Sequence, residues 1–139
     1  MSRFIFSSPG KYVQGAGVLT ELGQQIKSKG KHALLIADDV VWKIVGDKAT
    51  QSLKEAGIEY SYEKFNGEAS VGEISRLSKI ALSQGADMVV GLGGGKTLDT
   101  VKAVADERKV PVIIVPTTAS TDAPCSALSV IYSDKGVFE

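Results

Sequence analysis

Apolar runs alternate with amphipathic segments along most of this chain. Four short runs read as strands, and several of them are apolar on both faces, which is typical of a covered parallel sheet. These runs are HALLIA (32–37), IEYSYE (58–63), DMVVGL (87–92) and VPVIIVP (110–116). The alternation predicts βαβ units, and therefore an α/β fold with a Rossmann-like, doubly wound and mostly parallel sheet and flanking helices.

Four helices are predicted from apolar positions that share one face and from glycines that follow them. The sets are Val18, Leu19, Leu22 and Ile26, ending at Gly30; Val41, Ile44 and Val45, stopping at Gly57; Ile74, Leu77, Ala81 and Leu82, finishing at Gly85; and Leu98, Val101, Val104 and Ala105.

The two ends of the chain add further strand patterns. The turn residues Pro9 and Gly10 in RFIFSSPGKYVQG predict a short N-terminal hairpin or an edge strand. The closing stretch SALSVIYSDKGVFE is expected to form a strand that leads into a second hairpin.

Length and composition restrict the class of protein. The 139 residues are enough for one domain, and the 16 basic residues equal the 16 acidic ones, which argues against a nucleic-acid partner. No apolar run approaches the ~20 residues of a membrane span, and no signal peptide is evident. The single cysteine, Cys125, cannot form an internal disulfide, so a cytoplasmic location is expected.

The stretch VVGLGGGKTLDT (89–100) is the first candidate binding site. It fits neither of two familiar motifs, because Val90 stands where a P-loop needs glycine and Lys96 stands where the dinucleotide fingerprint needs its third glycine. One glycine usually suffices for a tight strand-to-helix turn, so three in succession favour a loop whose bare N–H groups face a pyrophosphate. Lys96 would add charge and Thr97 a hydroxyl. Asp99 is expected in the first helical turn.

Two acids follow the first of the central strands. Asp38 is either an acceptor for the hydroxyls of an adenine ribose or a structural residue, and position alone leaves both open. For Asp39, which is nearer the helix, we favour the helix N-cap. Asp38 precedes the glycines by two strands, the reverse of the usual order, so the nucleotide site is assembled differently.

The polar loop PTTASTDAPCSALS (116–129) is the third candidate, although an ordinary solvated loop would have the same composition. A Cys–His catalytic pair is not expected, because His32 opens a strand at the opposite end from these loops. A catalytic zinc wants about three protein ligands, and the chain has one histidine, so no metal site is expected here.

Two motifs, GGGKTLDTVKAVAD and PTTASTDAPCSALSVIY, together resemble the glycerol dehydrogenases, which belong to the iron-activated polyol and alcohol dehydrogenases and generally use zinc. SPGKYVQGAGVL, IADDVVWKI, FNGEAS and YSDKGVFE match the same pattern, so the likeness runs from end to end. It implies that residues 1–139 are an NAD-binding domain and that the substrate is glycerol or a similar small polyol. With glycerol, oxidation by NAD⁺ would give dihydroxyacetone.

The resemblance also implies residue roles. Asp38 would hold the adenine ribose, and Asp122 would reach the polyol. The residues implied to line the pyrophosphate are Gly94, Gly95, Lys96, Thr97 and Asp99. Those implied to contact the adenine and nicotinamide portions are Thr117, Thr118, Ser120, Ser126, Leu128 and Tyr132.

The family's zinc ligands lie in a helical second domain that this sequence does not contain, so the chain is expected to be truncated and inactive alone. A different class of function is also open, an autonomous nucleotide-binding module without catalysis. Related glycerol-1-phosphate dehydrogenases and dehydroquinate synthases share the glycine loop, but STDAPCSALS points away from both; a P-loop nucleotidase is a more distant alternative. A homo-oligomer is possible, because a domain separated from its neighbour would expose apolar surface.

Overall fold

The computed structural model describes residues 11–14, 21–28, 30–116 and 127–131, with 11–14 and 127–131 described by their backbone. Within these ranges the strands are β1 (Lys11–Gln14), β2 (His32–Ala37), β3 (Glu59–Lys64), β4 (Met88–Gly93), β5 (Val112–Pro116) and β6 (Ala127–Ile131). The helices are α1 (Leu22–Ile26), α2 (Asp39–Glu55), α3 (Val71–Gln84) and α4 (Gly95–Arg108).

The strands form one sheet in the order β1-β6-β5-β4-β2-β3. The four strands from β3 to β5 in this order are parallel, whereas β6 pairs antiparallel with both β5 and β1. The predicted Rossmann-like, doubly wound and mostly parallel sheet is therefore confirmed. So is the edge-strand alternative for the N-terminal segment. The second hairpin, predicted after β6, lies outside the described residues.

Helices cover both faces of the parallel part of the sheet. Helices α1 and α2 pack on one face, where Leu35 and Val90 are buried, and α3 and α4 pack on the other, where Leu34 and Val89 are buried. Successive side chains of a strand point to opposite faces, so a strand covered on both sides must be apolar at every position. This arrangement explains the continuous apolar runs of β2, β4 and β5.

Helix ends follow the sequence signals in part. Helix α3 ends at Gly85, whose φ of 70° is the left-handed conformation that glycine adopts without strain, as predicted. Helix α1 is shorter than predicted, because it ends at Ile26 rather than continuing to Gly30, while Val18 and Leu19 lie outside the described residues.

Two residues expected on buried helix faces are exposed instead. Ile44 is 41% exposed and Leu82 is 60% exposed, so this part of the prediction was wrong. In α2 the buried face contains Val41, Val45, Gly46, Ala49, Ser52 and Leu53, and Ile44 is not among these residues.

Candidate cofactor-binding site

The two candidate segments lie side by side at the topological switch point of the sheet. The chain leaves β2 for β3 on one side and leaves β4 for β5 on the other, while β2 and β4 are parallel neighbours with Ile36 opposite Gly91. Ligands of open α/β sheets bind in the crevice outside the carboxyl ends of such strands. Asp38, directly after β2, and Gly94, directly after β4, therefore flank the expected binding crevice.

The glycines in and before the loop are not all required by the fold for the same reason, and two are not required by it. Gly93 has a φ of 145°, which residues other than glycine rarely adopt. A β-carbon added there would lie 3.3 Å from the Thr97 Oγ1. Gly91 lets α4 pack closely on β4, because a β-carbon there would collide with the Val101 side chain. By contrast, β-carbons added at Gly94 and Gly95 would meet nothing within 4 Å, and neither residue has a positive φ.

The first turn of α4, at the same crevice, has main-chain N–H groups with no hydrogen-bond acceptor among the described residues. The earliest N–H in the helical hydrogen-bond series is that of Leu98, which donates to the Gly94 carbonyl at 3.0 Å, so the N–H groups of Gly95, Lys96 and Thr97 precede it. The helix N-cap, Gly94, provides no side-chain acceptor for them. Open space beside bare donors at a positive helix end suits a phosphate group.

The side chains of this turn differ in exposure. Thr97 is buried against Gly93, with 3% exposure, so its main-chain N–H is better placed for a ligand than its hydroxyl. Asp99 is exposed and is the fifth residue of α4, so the expectation that it lies in the first turn was wrong. It lies one turn along the helix from Gly95.

The N-cap role that was predicted for Asp39 belongs to Asp38 instead. Asp38, rather than Asp39, is the N-cap of α2, because its Oδ1 accepts a hydrogen bond of 2.8 Å from the Val41 N–H. Asp39 is instead the first residue of α2 and pairs with Lys64 at 2.9 Å. The second carboxylate oxygen of Asp38 accepts no hydrogen bond within the described part of the chain, so capping does not use up this side chain.

An aromatic pair holds the end of β2 beside Asp38. The rings of Trp42 and Tyr62 stack with centroids 3.8 Å apart, and the Tyr62 hydroxyl donates to the Ala37 carbonyl at 3.0 Å. Burial, with the nearby Asp39 and Asp38 carboxylates, raises the pKa of Tyr62 to about 12. The phenol therefore remains a donor throughout the neutral range, and the backbone leading into Asp38 is fixed.

The loop between β3 and α3, residues 65–70, is anchored at both ends at this edge. The Phe65 N–H donates to the Ala37 carbonyl at 2.9 Å, and the Ser70 hydroxyl caps α3 by accepting from the Glu73 N–H at 3.1 Å. The nearly buried Glu73 carboxylate accepts from the main-chain N–H and the side-chain amide of Asn66 at 2.9 and 3.0 Å.

Arg76 completes this anchor. It donates to both Glu73 oxygens, at 2.9 and 2.7 Å, and to Glu63 at 3.2 Å. Hydrogen bonds from Arg76, more than its charge, hold the pKa of the Glu73 carboxyl below its usual value despite burial. The network keeps the exposed part of the loop, including Glu68, close to α4, where the Lys96 ammonium lies 3.3 Å from the Glu68 carboxylate.

Several predicted site residues cannot be placed in this crevice. Thr117, Thr118, Ser120, Asp122, Ser126 and Tyr132 lie outside the described residues, and Leu128 is described only by its backbone in β6. The pairing of β6 with β5 is consistent with a return of the chain to this sheet. The structure thus brings together Asp38, the glycine loop and Lys96, and the roles of the others stay predictions.

The described ranges contain neither a metal-binding cluster nor a membrane-spanning helix. In residues 21–28 and 30–116 there is no group of three or more His, Cys, Asp or Glu side chains that could hold a metal ion. No helix in the described part of the chain is long and apolar enough to cross a membrane.

Sequence reasoning missed the anchored loop and Lys64, Glu68 and Arg76 within or beside it. One local signal was present, since Ser70 and Glu73 have the S-x-x-E spacing of a capping box. The structure uses half of that box: Ser70 caps the helix, but the Glu73 side chain turns to Asn66 and Arg76. The long-range pairs had no sequence signal.

A family comparison decides the relationship of this molecule to known proteins. Residues 9–138 match the family model for iron-containing alcohol dehydrogenases, which is nearly the whole chain. This chain belongs to that family.

Individual relatives narrow the likeness. The chain is 54% identical to a glycerol dehydrogenase of Pseudomonas putida over 95% of its own length and 36% of that protein. It is 49% identical to a glycolaldehyde reductase of Halobacterium salinarum over 97% of its own length and 37% of that protein. It therefore spans about a third of the length of these relatives.

A solved structure agrees with the sequence comparison. The crystal structure of glycerol dehydrogenase from Schizosaccharomyces pombe matches with a TM-score of 0.75 and 41% identity, over 86% of this chain and 30% of that one. The predicted fold class and the predicted family resemblance are both confirmed. These homologues are oxidoreductases, and several of them bear the name glycerol dehydrogenase.

Proposed function

We propose that this chain is the NAD-binding portion of an NAD-dependent glycerol dehydrogenase that oxidises glycerol to dihydroxyacetone. One observation carries the proposal. Neither packing nor backbone conformation requires glycine at Gly94 and Gly95, and both residues lie across the switch-point crevice from the Asp38 carboxylate. A dinucleotide needs close backbone approach for its pyrophosphate and a carboxylate for its adenine ribose.

The residues of the crevice have separate roles in this proposal. The N–H groups of the first α4 turn and the Lys96 ammonium bind the pyrophosphate, and the Asp38 oxygen that is not used in capping accepts from the ribose. A carboxylate there also repels a 2′-phosphate, which favours NAD over NADP. When bound, NAD⁺ would accept the hydride that leaves C2 of glycerol. Asp122 would contact the polyol.

The family resemblance also supports proposals about the domain, the cellular location and the metal. We expect residues 1–139 to act as one NAD-binding domain, and the protein to be cytoplasmic and to take part in glycerol metabolism. Zinc would be held by residues of the family's second domain, and residues 1–139 correspond to about a third of the length of the glycerol dehydrogenase relative, so we expect little or no turnover from these residues alone. A zinc-supplemented assay that shows glycerol-dependent NADH formation would contradict that expectation.

Calorimetric titration with NAD⁺ tests the cofactor site, with Asp38→Asn as the key variant. Asparagine caps helices about as well as aspartate, so the start of α2 is kept while the carboxylate is lost. We expect Kd to rise by roughly tenfold or more, since hydrogen bonds to charged groups contribute about 1.5–3 kcal/mol. The matched control is Asp47→Asn, an exposed acid further along α2, which should bind NAD⁺ like the wild type.

The titration also separates the competing functions. A folded chain that binds no NAD⁺ contradicts the proposed cofactor site, and equal binding by the Asp38→Asn variant contradicts the ribose role. An autonomous nucleotide-binding module is not favoured, because the relatives are dehydrogenases. Such a module would predict that NAD⁺ binding never leads to glycerol oxidation, even when these residues are part of a longer, zinc-loaded protein.

A further inference from the structure

Glu68 lies beside the proposed phosphate-binding turn, in the anchored loop. The loop is tied down before Glu68, where the Asn66 N–H and amide bind Glu73, and after it, where Ser70 caps α3. Between these anchors Gly67 has a φ of 101°, which turns the chain sharply. The backbone of Glu68 is therefore restrained on both sides, while its side chain is exposed.

The partner of Glu68 is the cation that the proposed function assigns to the cofactor. The Glu68 carboxylate lies 3.3 Å from the Lys96 ammonium, and Glu68 is the one ion-pair partner of Lys96 among the described residues. Lys96 is the second residue of α4, so the same carboxylate also lies near the positive end of that helix. A phosphate entering this turn would meet Lys96 already neutralised by Glu68.

We propose that Glu68 is an internal counter-ion of Lys96 that competes with the phosphates of the cofactor, so that its carboxylate lowers the affinity for the dinucleotide. This inference rests on the proposed function. Both side chains are largely exposed, at 66% for Lys96 and 77% for Glu68, so neither is locked in the pair by burial. Because an exposed ion pair is weak, an incoming dianionic pyrophosphate can displace it.

The sign of one substitution distinguishes a competitor from a positioning residue. If Glu68 competes, Glu68→Gln should bind NAD⁺ about two- to fivefold more tightly than the wild type, the range that an exposed pair supports. If Glu68 instead holds Lys96 in a productive position, the same substitution should weaken binding. Glu59→Gln is the matched control, an exposed glutamate at the opposite end of β3, and should leave Kd unchanged.

A double-mutant cycle with Lys96→Met then tests whether the effect passes through the lysine. In the Lys96→Met background the proposal predicts no change in Kd on adding Glu68→Gln. A through-space effect of one fewer negative charge would persist there, and that result would overturn the proposal. Unchanged or weaker NAD⁺ binding by Glu68→Gln overturns it too, while leaving the proposed function standing. A folded wild-type chain that binds no NAD⁺ overturns both.

Discussion

The Gly95→Ala substitution should weaken NAD⁺ binding while leaving the fold as stable as before or more so. Gly95 is the first residue of α4, has no positive φ, and has no atom within 4 Å of the position of an added β-carbon. Replacing such a glycine by alanine typically raises the free energy of unfolding by about 0.4–1 kcal/mol. The added methyl group would instead occupy the space through which we expect the pyrophosphate to approach.

Loss of one close hydrogen bond to a charged ligand group would weaken NAD⁺ binding by about 1.5–3 kcal/mol, or roughly tenfold or more in Kd. Urea denaturation followed by the fluorescence of Trp42, the one tryptophan of the chain, gives the stability, and calorimetry gives the Kd. The matched control is Gly72→Ala in the first turn of α3, which also has open space and should be stabilised similarly without any change in Kd.

The neighbouring glycine should show the opposite pattern of stability. Gly93→Ala must adopt a φ near 145° and approach Thr97, so we expect a loss of about 1–3 kcal/mol in the free energy of unfolding. If Gly95→Ala lowers the free energy of unfolding as much as Gly93→Ala, the conclusion that a side chain fits at residue 95 without a clash is wrong. If Gly95→Ala binds NAD⁺ like the wild type, the pyrophosphate does not pass this residue, and the reasoning fails.

Two further predictions concern pH and stability. Tyr62→Phe should lower the free energy of unfolding at pH 7 by about 1 kcal/mol through the lost bond to Ala37. Since folding raises the pKa of Tyr62 from 10.0 to about 12, wild-type stability from this group is complete below pH 10 and lost between pH 10 and 12. Urea titrations in that range should show a decline in the wild type that the variant lacks; parallel curves would contradict the raised pKa. Glu73→Gln should lower the free energy of unfolding at pH 7 by roughly 1–3 kcal/mol. Because folding lowers the pKa of Glu73 from 4.5, the difference in stability between the wild type and the variant should shrink as the pH falls through the pKa of the folded state. A difference that stays constant down to the pH of acid unfolding would refute this.

Local sequence patterns determined most of the architecture. The continuous apolar runs of β2, β4 and β5 required a sheet covered on both faces, and the alternation with amphipathic helices required parallel strands. The triple glycine could also be interpreted locally, because one glycine satisfies a turn and the others need a different reason. Gly93 proves to be the residue that the turn requires, and Gly94 and Gly95 are the ones without an internal role.

The tertiary structure decided which residues meet. Asp38 and Gly94 are far apart in sequence, and only the pairing of β2 with β4 places them on the same crevice. The choice between Asp38 and Asp39 as the N-cap depended on where the extended backbone of β2 ends, a matter of one residue that propensity does not resolve.

The pair Lys64–Asp39 likewise joins the end of β3 to α2, and the pair Lys96–Glu68 joins α4 to the loop after β3. Periodicity and capping act over a few neighbouring residues, so the sequence by itself determined the elements, their order and the glycine-rich turn. Contacts between distant residues depend on how those elements pack, and therefore only the tertiary structure decided the composition and the charge balance of the proposed cofactor crevice.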